Sequence, residues 1–132
     1  MFDLINRDRL NPANARGLHP LRWNQKLAAI ARAHSLDMIR QGYFGHVAPD
    51  GKSIVDRLNS AGIAWQAEGE NIAIASSVAE AEANFMNEPR FQHNHRWNIL
   101  NPNYTNVGVG IVAGPHGEYY ITQDFTKSKT GR

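Results

Sequence analysis

Apolar residues recur at helical spacing most clearly over residues 25–41. The apolar stripe runs through Leu27, Ile30, Ala31, His34 and Met38, while the charged side chains of the segment lie off it. Asn24 is a suitable N-cap for this helix, and Gly42 is a suitable C-terminal stop. The pattern therefore predicts a helix over 25–41 that packs on an apolar layer.

Three further helices are predicted from shorter patterns and their end signals, over residues 2–10, 54–62 and 78–88. Ser53 is placed to cap the second of these helices. Ser77 and Glu80 form the S-x-x-E capping box that opens the third.

Alternation of apolar and polar positions predicts two strands near the end of the chain, over residues 105–113 and 118–126. The turn sequence GPHG joins them. Between the last helix and the first strand, residues 90–103 are predicted to form a polar loop. Helices followed by a hairpin indicate an α+β fold in which helices cover a small, mainly antiparallel sheet.

Composition and net charge limit the possible classes of protein and partner. The 132 residues fit one domain over 1–132, and an apolar content of 42% fits a globular chain. A net charge of only +2, without a basic run, argues against a nucleic-acid partner. No stretch reaches the roughly 18 apolar residues of a membrane span. The opening MFDLINRDRL is not typical of a signal peptide, so we expect a processed or trimmed chain if the protein is secreted.

Five motifs, in order, resemble the CAP superfamily of cysteine-rich secretory proteins, antigen 5 and pathogenesis-related 1 proteins, also called SCP-like domains. They are GLHPLRWNQKLAAIARAHSLDM, YFGHVAPDG, GENIA, HRWNILNPNYTNVGVG and YYITQDF. The absence of cysteine resembles the bacterial branch of the superfamily. The resemblance implies a three-layer α-β-α sandwich, an extracellular or cell-envelope location, and a central cavity lined by two histidines and two acidic residues.

The resemblance also places the cavity residues. It matches His46 in YFGH and His95 in HRWNIL to the two histidines, and Glu70 in GEN to the first acid. Glu88 in FMNE stands where many relatives carry the second acid. The loop NEPRFQHNHR is longer than the usual bacterial NSPGHR and adds His93, which leaves open whether His93 or His95 faces the cavity.

Two imidazoles with one or two carboxylates describe an open metal site, because neutral imidazole is a preferred ligand of Zn²⁺ and a carboxylate can complete or orient it. The spacing itself is uninformative, since the chain has no H-E-x-x-H. We therefore expect His46 and His95 to be the metal ligands if Zn²⁺ or another divalent cation binds.

Other polar residues on apolar faces have simpler explanations. His34 is expected to be a core histidine with a satisfied hydrogen bond. Glu82 falls among apolar positions, so we expect a snorkelling side chain or, as the alternative, a third cavity acid. Gly108 and Gly110 alternate with branched residues, which suggests that another element packs closely on that strand face.

Three function classes remain. The first is a secreted binding domain, expected to be a monomer, whose cleft holds a cation, a lipid, or a cell-wall or peptide fragment. The second is a metal- or His/Glu-dependent hydrolase with Glu70 as general base. The third is an interaction domain with a vestigial cleft. The first is favoured, because no nucleophile or oxyanion hole is evident, whereas His46, Glu70 and His95 are present together.

Overall fold

Five helices and one four-stranded sheet make up the computed structural model, which describes residues 1–129. In chain order the elements are α1 (Phe2–Leu10), β1 (Arg22–Trp23), α2 (Gln25–Gln41), α3 (Ile54–Ser60), β2 (Trp65–Ala75), α4 (Val78–Met86), α5 (His95–Leu100), β3 (Asn106–Ala113) and β4 (Tyr119–Ser128). No helix within the described range is both long and apolar enough to cross a bilayer.

The strands are ordered β1-β3-β4-β2 across the sheet. The β3–β4 hairpin and the β2–β4 pair are antiparallel, and only the two-residue β1 pairs in parallel, with β3. The register places Glu70 opposite Asp124, and Asn71 opposite Gln123. The prediction of a small, mainly antiparallel sheet is confirmed.

Helices cover both faces of this sheet, so the predicted three-layer α-β-α architecture is confirmed. One core contains the buried residues Leu27, Ile54 and Leu58 from α2 and α3. A second core joins α1, α4 and α5 to the hairpin, through Ile5, Phe85, Ile99, Val107 and Phe125. Successive strand residues point to opposite faces, so neighbouring positions feed different cores.

Helix α2 lies directly on strand β3. A Cβ atom added at Gly110 would lie 2.2 Å from the backbone nitrogen of Arg32, and one at Gly108 would lie 2.1 Å from that of Ala28. The close packing predicted over this strand face is therefore present. Ile111, on the opposite face of the strand, is 37% exposed.

The predicted helix ends agree with the structure where a side chain can cap them. Asn24 accepts a hydrogen bond from the Leu27 N–H at 3.0 Å, and Gly42 adopts the left-handed conformation at φ 68°. Ser77 accepts from the Glu80 N–H, but the Glu80 carboxylate accepts from the Ser76 hydroxyl, so the predicted reciprocal capping box is only half formed.

Three elements escaped the sequence prediction: the short strand β1, the long strand β2, and the helix α5 within the predicted polar loop. Helix α5 begins because Asn94 accepts from the Trp97 N–H at 3.0 Å, and Ile99 is buried beneath it. Its end is held by Arg9, whose buried guanidinium donates to the carbonyls of Ile99 and Asn101 at 2.9 and 2.8 Å. These bonds satisfy carbonyls that a helix end leaves unpaired. They also fix the helix that carries His95.

Candidate functional site

All four predicted site residues, His46, Glu70, Glu88 and His95, line one cleft of about 370 Å³. They reach it from four places in the chain. His46 lies in the loop between α2 and α3, Glu70 in the middle of β2, Glu88 just after α4, and His95 at the start of α5. The remaining walls are formed by Asn71, His93, Asn94 and Asn98.

Glu70 is the electrostatic centre of the cleft, with a side chain that is only 1% exposed. Its Oε1 lies 3.0 Å from Nδ1 of His46, and its Oε2 accepts from Nη1 of Arg57 at 2.7 Å. The same guanidinium donates from Nη2 to the His46 carbonyl at 2.8 Å. Arg57 therefore compensates the buried charge and also holds the loop that carries His46.

Asp124 lies beside Glu70 on the neighbouring strand and is fully buried. Burial and the adjacent Glu70 raise the pKa of Asp124 well above its ordinary value. Neither of its oxygens accepts a hydrogen bond from a donor in the described part of the chain, as expected of a protonated carboxyl that is itself the donor. Asp124 is therefore a neutral acid beside an ionised one.

Glu70, in contrast to Asp124, is ionised. Burial would raise the pKa of Glu70, but hydrogen bonds from Asp124, His46 and Arg57 outweigh burial and lower it to about 2. A carboxylate with so low a pKa and with both oxygens engaged is a weak proton acceptor at neutral pH. The geometry therefore favours Glu70 as the anion that orients His46 rather than as a general base.

A second histidine–carboxylate pair stands across the cleft. Nδ1 of His95 lies 2.7 Å from Oε2 of Glu88, whose other oxygen accepts from the Arg96 N–H at 3.1 Å. The His95 ring is stacked on Phe85 with centroids 4.6 Å apart. The amide of Asn71 donates to the His95 carbonyl at 3.1 Å. Ring and backbone of His95 are thus both fixed.

The donor chemistry suits an ion held by two imidazoles. In each pair a carboxylate engages Nδ1, so Nε2 is the nitrogen left for a ligand, which is the arrangement typical of histidines bound to metals. No three histidine or acidic side chains within residues 1–129 are grouped closely enough to form a complete cage. An ion here would need water or a bound molecule to complete its coordination.

His93 also lines the cleft, so the structure brings both candidate histidines of the long loop to it. The two differ in their partners. His95 is paired with Glu88, whereas the ring of His93 packs on Trp97 with centroids 4.1 Å apart. The carboxylate pairing makes His95 better oriented than His93 to hold an ion, if one binds.

His34 and Glu82 are buried polar residues outside the cleft wall. Nε2 of His34 donates to the Gly45 carbonyl at 2.9 Å, as expected of a core histidine, and burial lowers its pKa. Our expectations for Glu82 are wrong, because its side chain neither snorkels nor lines the cleft. It is buried on the opposite face of the sheet, where Gln123 donates to it at 3.0 Å.

Sequence reasoning missed the residues that support the site, chiefly Arg57, Asp124 and Asn98. Asp124 could have been identified from the sequence, because an acid inside an alternating apolar strand must be neutral or paired. Nothing in the sequence pointed to Arg57, because its partner Glu70 lies 13 residues away on another element. Glu70 and Asn71 lie within strand β2, which extends on both sides of them.

The sequence profile of the cysteine-rich secretory protein family, CAP, matches residues 2–125. The uncharacterised protein YkwD of Bacillus subtilis is 40% identical over 113 residues, which are 85% of this chain and 41% of that protein. The uncharacterised membrane protein YlbC of the same organism is 37% identical over 84% of this chain and 30% of its own length. The chain thus spans less than half of either relative.

Solved structures agree with the sequence comparisons. An extracellular protein of Bacillus anthracis that contains an SCP domain superposes with a TM-score of 0.82 at 34% identity, covering 96% of this chain and 39% of that one. An outer surface protein of Borrelia burgdorferi superposes with a TM-score of 0.83 over 97% of this chain and 90% of its own. At 15% identity, the second likeness concerns the fold alone.

Proposed function

The chain belongs to the cysteine-rich secretory protein (CAP) family, and we propose that its cleft binds a divalent cation such as Zn²⁺ through Nε2 of His46 and of His95. One observation carries this proposal. Two imidazoles from separate elements line the same cleft, and each has its Nδ1 engaged by its own carboxylate. Such backing fixes the ring orientation and raises the basicity of the free nitrogen.

The incomplete coordination suits a binding role. An ion held by two imidazoles keeps open positions, which a carboxylate or carbonyl of a small bound molecule would fill. Arg57 neutralises Glu70, so the charge of the ion is not cancelled from that side of the cleft. The cleft would thus hold a small oxygen-bearing ligand through the cation.

We further propose that the domain acts as a monomer outside the cell or at its envelope. The support for the location is the likeness to an extracellular SCP-domain protein at 34% identity. The test is sedimentation of the purified domain, together with fractionation of the cells that produce it.

Calorimetric titration with Zn²⁺ tests the cation site. We expect His46→Ala or His95→Ala to abolish most of the affinity, because a single imidazole no longer chelates. Glu88→Gln should weaken binding by about 10- to 100-fold, as the loss of an outer-shell partner typically does. Binding should also weaken on acidification, because a protonated imidazole cannot coordinate a metal ion.

His93→Ala is the matched control, because His93 lines the same cleft without a carboxylate partner, and we expect it to leave Zn²⁺ affinity unchanged. Binding lost in His93→Ala and kept in His95→Ala would transfer the ligand role to His93. Unchanged binding in every variant would remove the ion from this cleft.

A further inference from the structure

A second cavity, of about 690 Å³, opens beside the cleft and has different chemistry. Its walls come from the turn after α1, the loop between α4 and α5, and α5 itself. The side chains that give it its character are Asn14, Arg90, Phe91, His93, Arg96 and Trp97. We call it the arginine cavity. Its volume lies within the range typical of small-molecule sites.

Two guanidinium groups face this cavity without a carboxylate partner. Arg90 donates from Nη2 to the Ala13 carbonyl at 2.8 Å, and Arg96 donates from Nη1 to the Met86 carbonyl. Each bond uses one of the five N–H groups of an arginine. Within residues 1–129 neither guanidinium forms an ion pair, and no acidic residue lines the cavity. The cavity is therefore complementary to an anion.

Exposed rings lie next to these charges. Trp97 is 40% exposed and Phe91 is fully exposed. Phe91 also has φ 62°, a conformation that a bulky residue seldom adopts. Such strain is found most often at ligand-binding and switch regions. Pro89, Leu100 and Pro102 complete an apolar wall.

From this pairing of charge and rings we propose that the arginine cavity binds the C-terminus of a peptide whose last side chain is aromatic. The carboxylate pairs with Arg90 and Arg96, because the planar guanidinium fork matches carboxylate geometry. The aromatic side chain packs on Trp97 and Phe91. An acidic sugar would supply the same charge but would leave the apolar wall without an apolar partner.

This site is separate from the proposed cation site, although His93 lines both cavities. A peptide end held in the arginine cavity would run past His93 toward the cleft. The two proposals stand on different residues, so either can fail without the other.

N-acetyl-L-phenylalanine and its C-terminal amide are suitable probes, because they differ only in the carboxylate. Nitrogen-15 NMR of the three indole N–H groups reports where they bind. Trp23 donates to Gln25 and Trp65 to Asn59, whereas Trp97 stands in the wall of the cavity. We expect the acid to shift the Trp97 signal alone, identified with Trp97→Phe, and the amide to bind at least tenfold more weakly.

Arg90→Gln should weaken binding of the acid by about tenfold or more, because it removes the positive charge and a charge-assisted hydrogen bond to the carboxylate. Arg40→Gln, at an exposed arginine on α2, is the matched control and should change nothing. Arg90→Gln should also leave Zn²⁺ binding intact, and His46→Ala should leave binding of the acid intact.

Three results would overturn the proposal. Equal affinity for acid and amide would remove carboxylate recognition. Tighter binding of glucuronate than of N-acetyl-L-phenylalanine would assign the cavity to an acidic sugar. An unmoved Trp97 signal at about 10 mM probe would mean no binding, because a ligand with a millimolar Kd occupies most sites at that concentration.

Discussion

At the scale of single residues, neighbouring acids in this molecule hold opposite charge states. Asp124 is a neutral donor because it is fully buried, whereas Glu70 is ionised because His46 and Arg57 are within hydrogen-bonding distance of it. The motifs YFGH and GEN predicted that His46 and Glu70 line the cleft. The sequence could not indicate which acid would be charged, since that depends on contacts between separate elements.

The ion pair of Arg57 and Glu70 is expected to be a strong determinant of stability. Replacing Arg57 by Met removes the cation while Glu70 stays buried, which should lower the free energy of unfolding by about 3–5 kcal/mol. Urea denaturation measures this change. Arg40→Met, at an exposed arginine, is the control.

A double-mutant cycle then separates the ion pair from other effects of the substitution. Adding Glu70→Gln to Arg57→Met removes the uncompensated charge, so the double variant should regain part of the lost stability. If the two losses simply add, the pair makes no specific contribution and the stability of the cleft has another source.

At the scale of elements, the sequence predicted α2 to the residue, because its apolar stripe and both caps are local features. It missed β1 and α5 because neither carries such a pattern, and it assigned no strand to residues 65–75, where β2 pairs with β4. The two residues of β1 are defined only by pairing with β3. Helix α5 has six residues and is held by Arg9, which lies about 90 residues earlier in the chain.

The contact between α2 and β3 leads to a prediction about Gly110. A methyl group there would meet backbone atoms of Arg32 and Ala31 within 2.5 Å, and backbone cannot rotate away as a flexible side chain can. Gly110→Ala should therefore destabilise the protein by about 1–3 kcal/mol or more, as overpacking does. Thermal or urea unfolding measures the loss.

Gly45→Ala is the matched control, because the nearest atom to its added Cβ, the Val47 carbonyl oxygen, would be 3.9 Å away. We expect its unfolding midpoint to stay close to that of the wild type. Equal stability of the two variants would show that α2 is free to shift away from the sheet, and the close approach would then not limit the fold.

At the scale of the whole molecule, each face of the sheet buries a polar group near the centre of the domain. Glu70 and Asp124 share one face, and Glu82 occupies the other. Oε2 of Glu82 is buried without a hydrogen-bond donor from the described residues, as expected of a protonated carboxyl. The global stability should therefore depend on pH through Glu82.

Burial, and then the hydrogen bond with Asp8, raise the pKa of Glu82 from 4.5 to about 8. The folded state then holds a proton that the unfolded chain releases above about pH 4.5. The stabilisation is complete below that pH and is lost as the pH rises through about 8. Glutamine has the size and shape of a protonated glutamate and carries no charge. The free energy of unfolding of Glu82→Gln should therefore match that of the wild type at pH 5 and exceed it at pH 9.

Urea denaturation of both proteins at pH 5, 7 and 9 measures this difference. Glu80→Gln, on the exposed side of the same helix, is the control. Hydrogen bonds from Ser76 lower the pKa of Glu80, so this acid is ionised throughout the range and its replacement should shift all three values equally. A constant difference between wild type and Glu82→Gln from pH 5 to 9 would mean that Glu82 does not change protonation in this range.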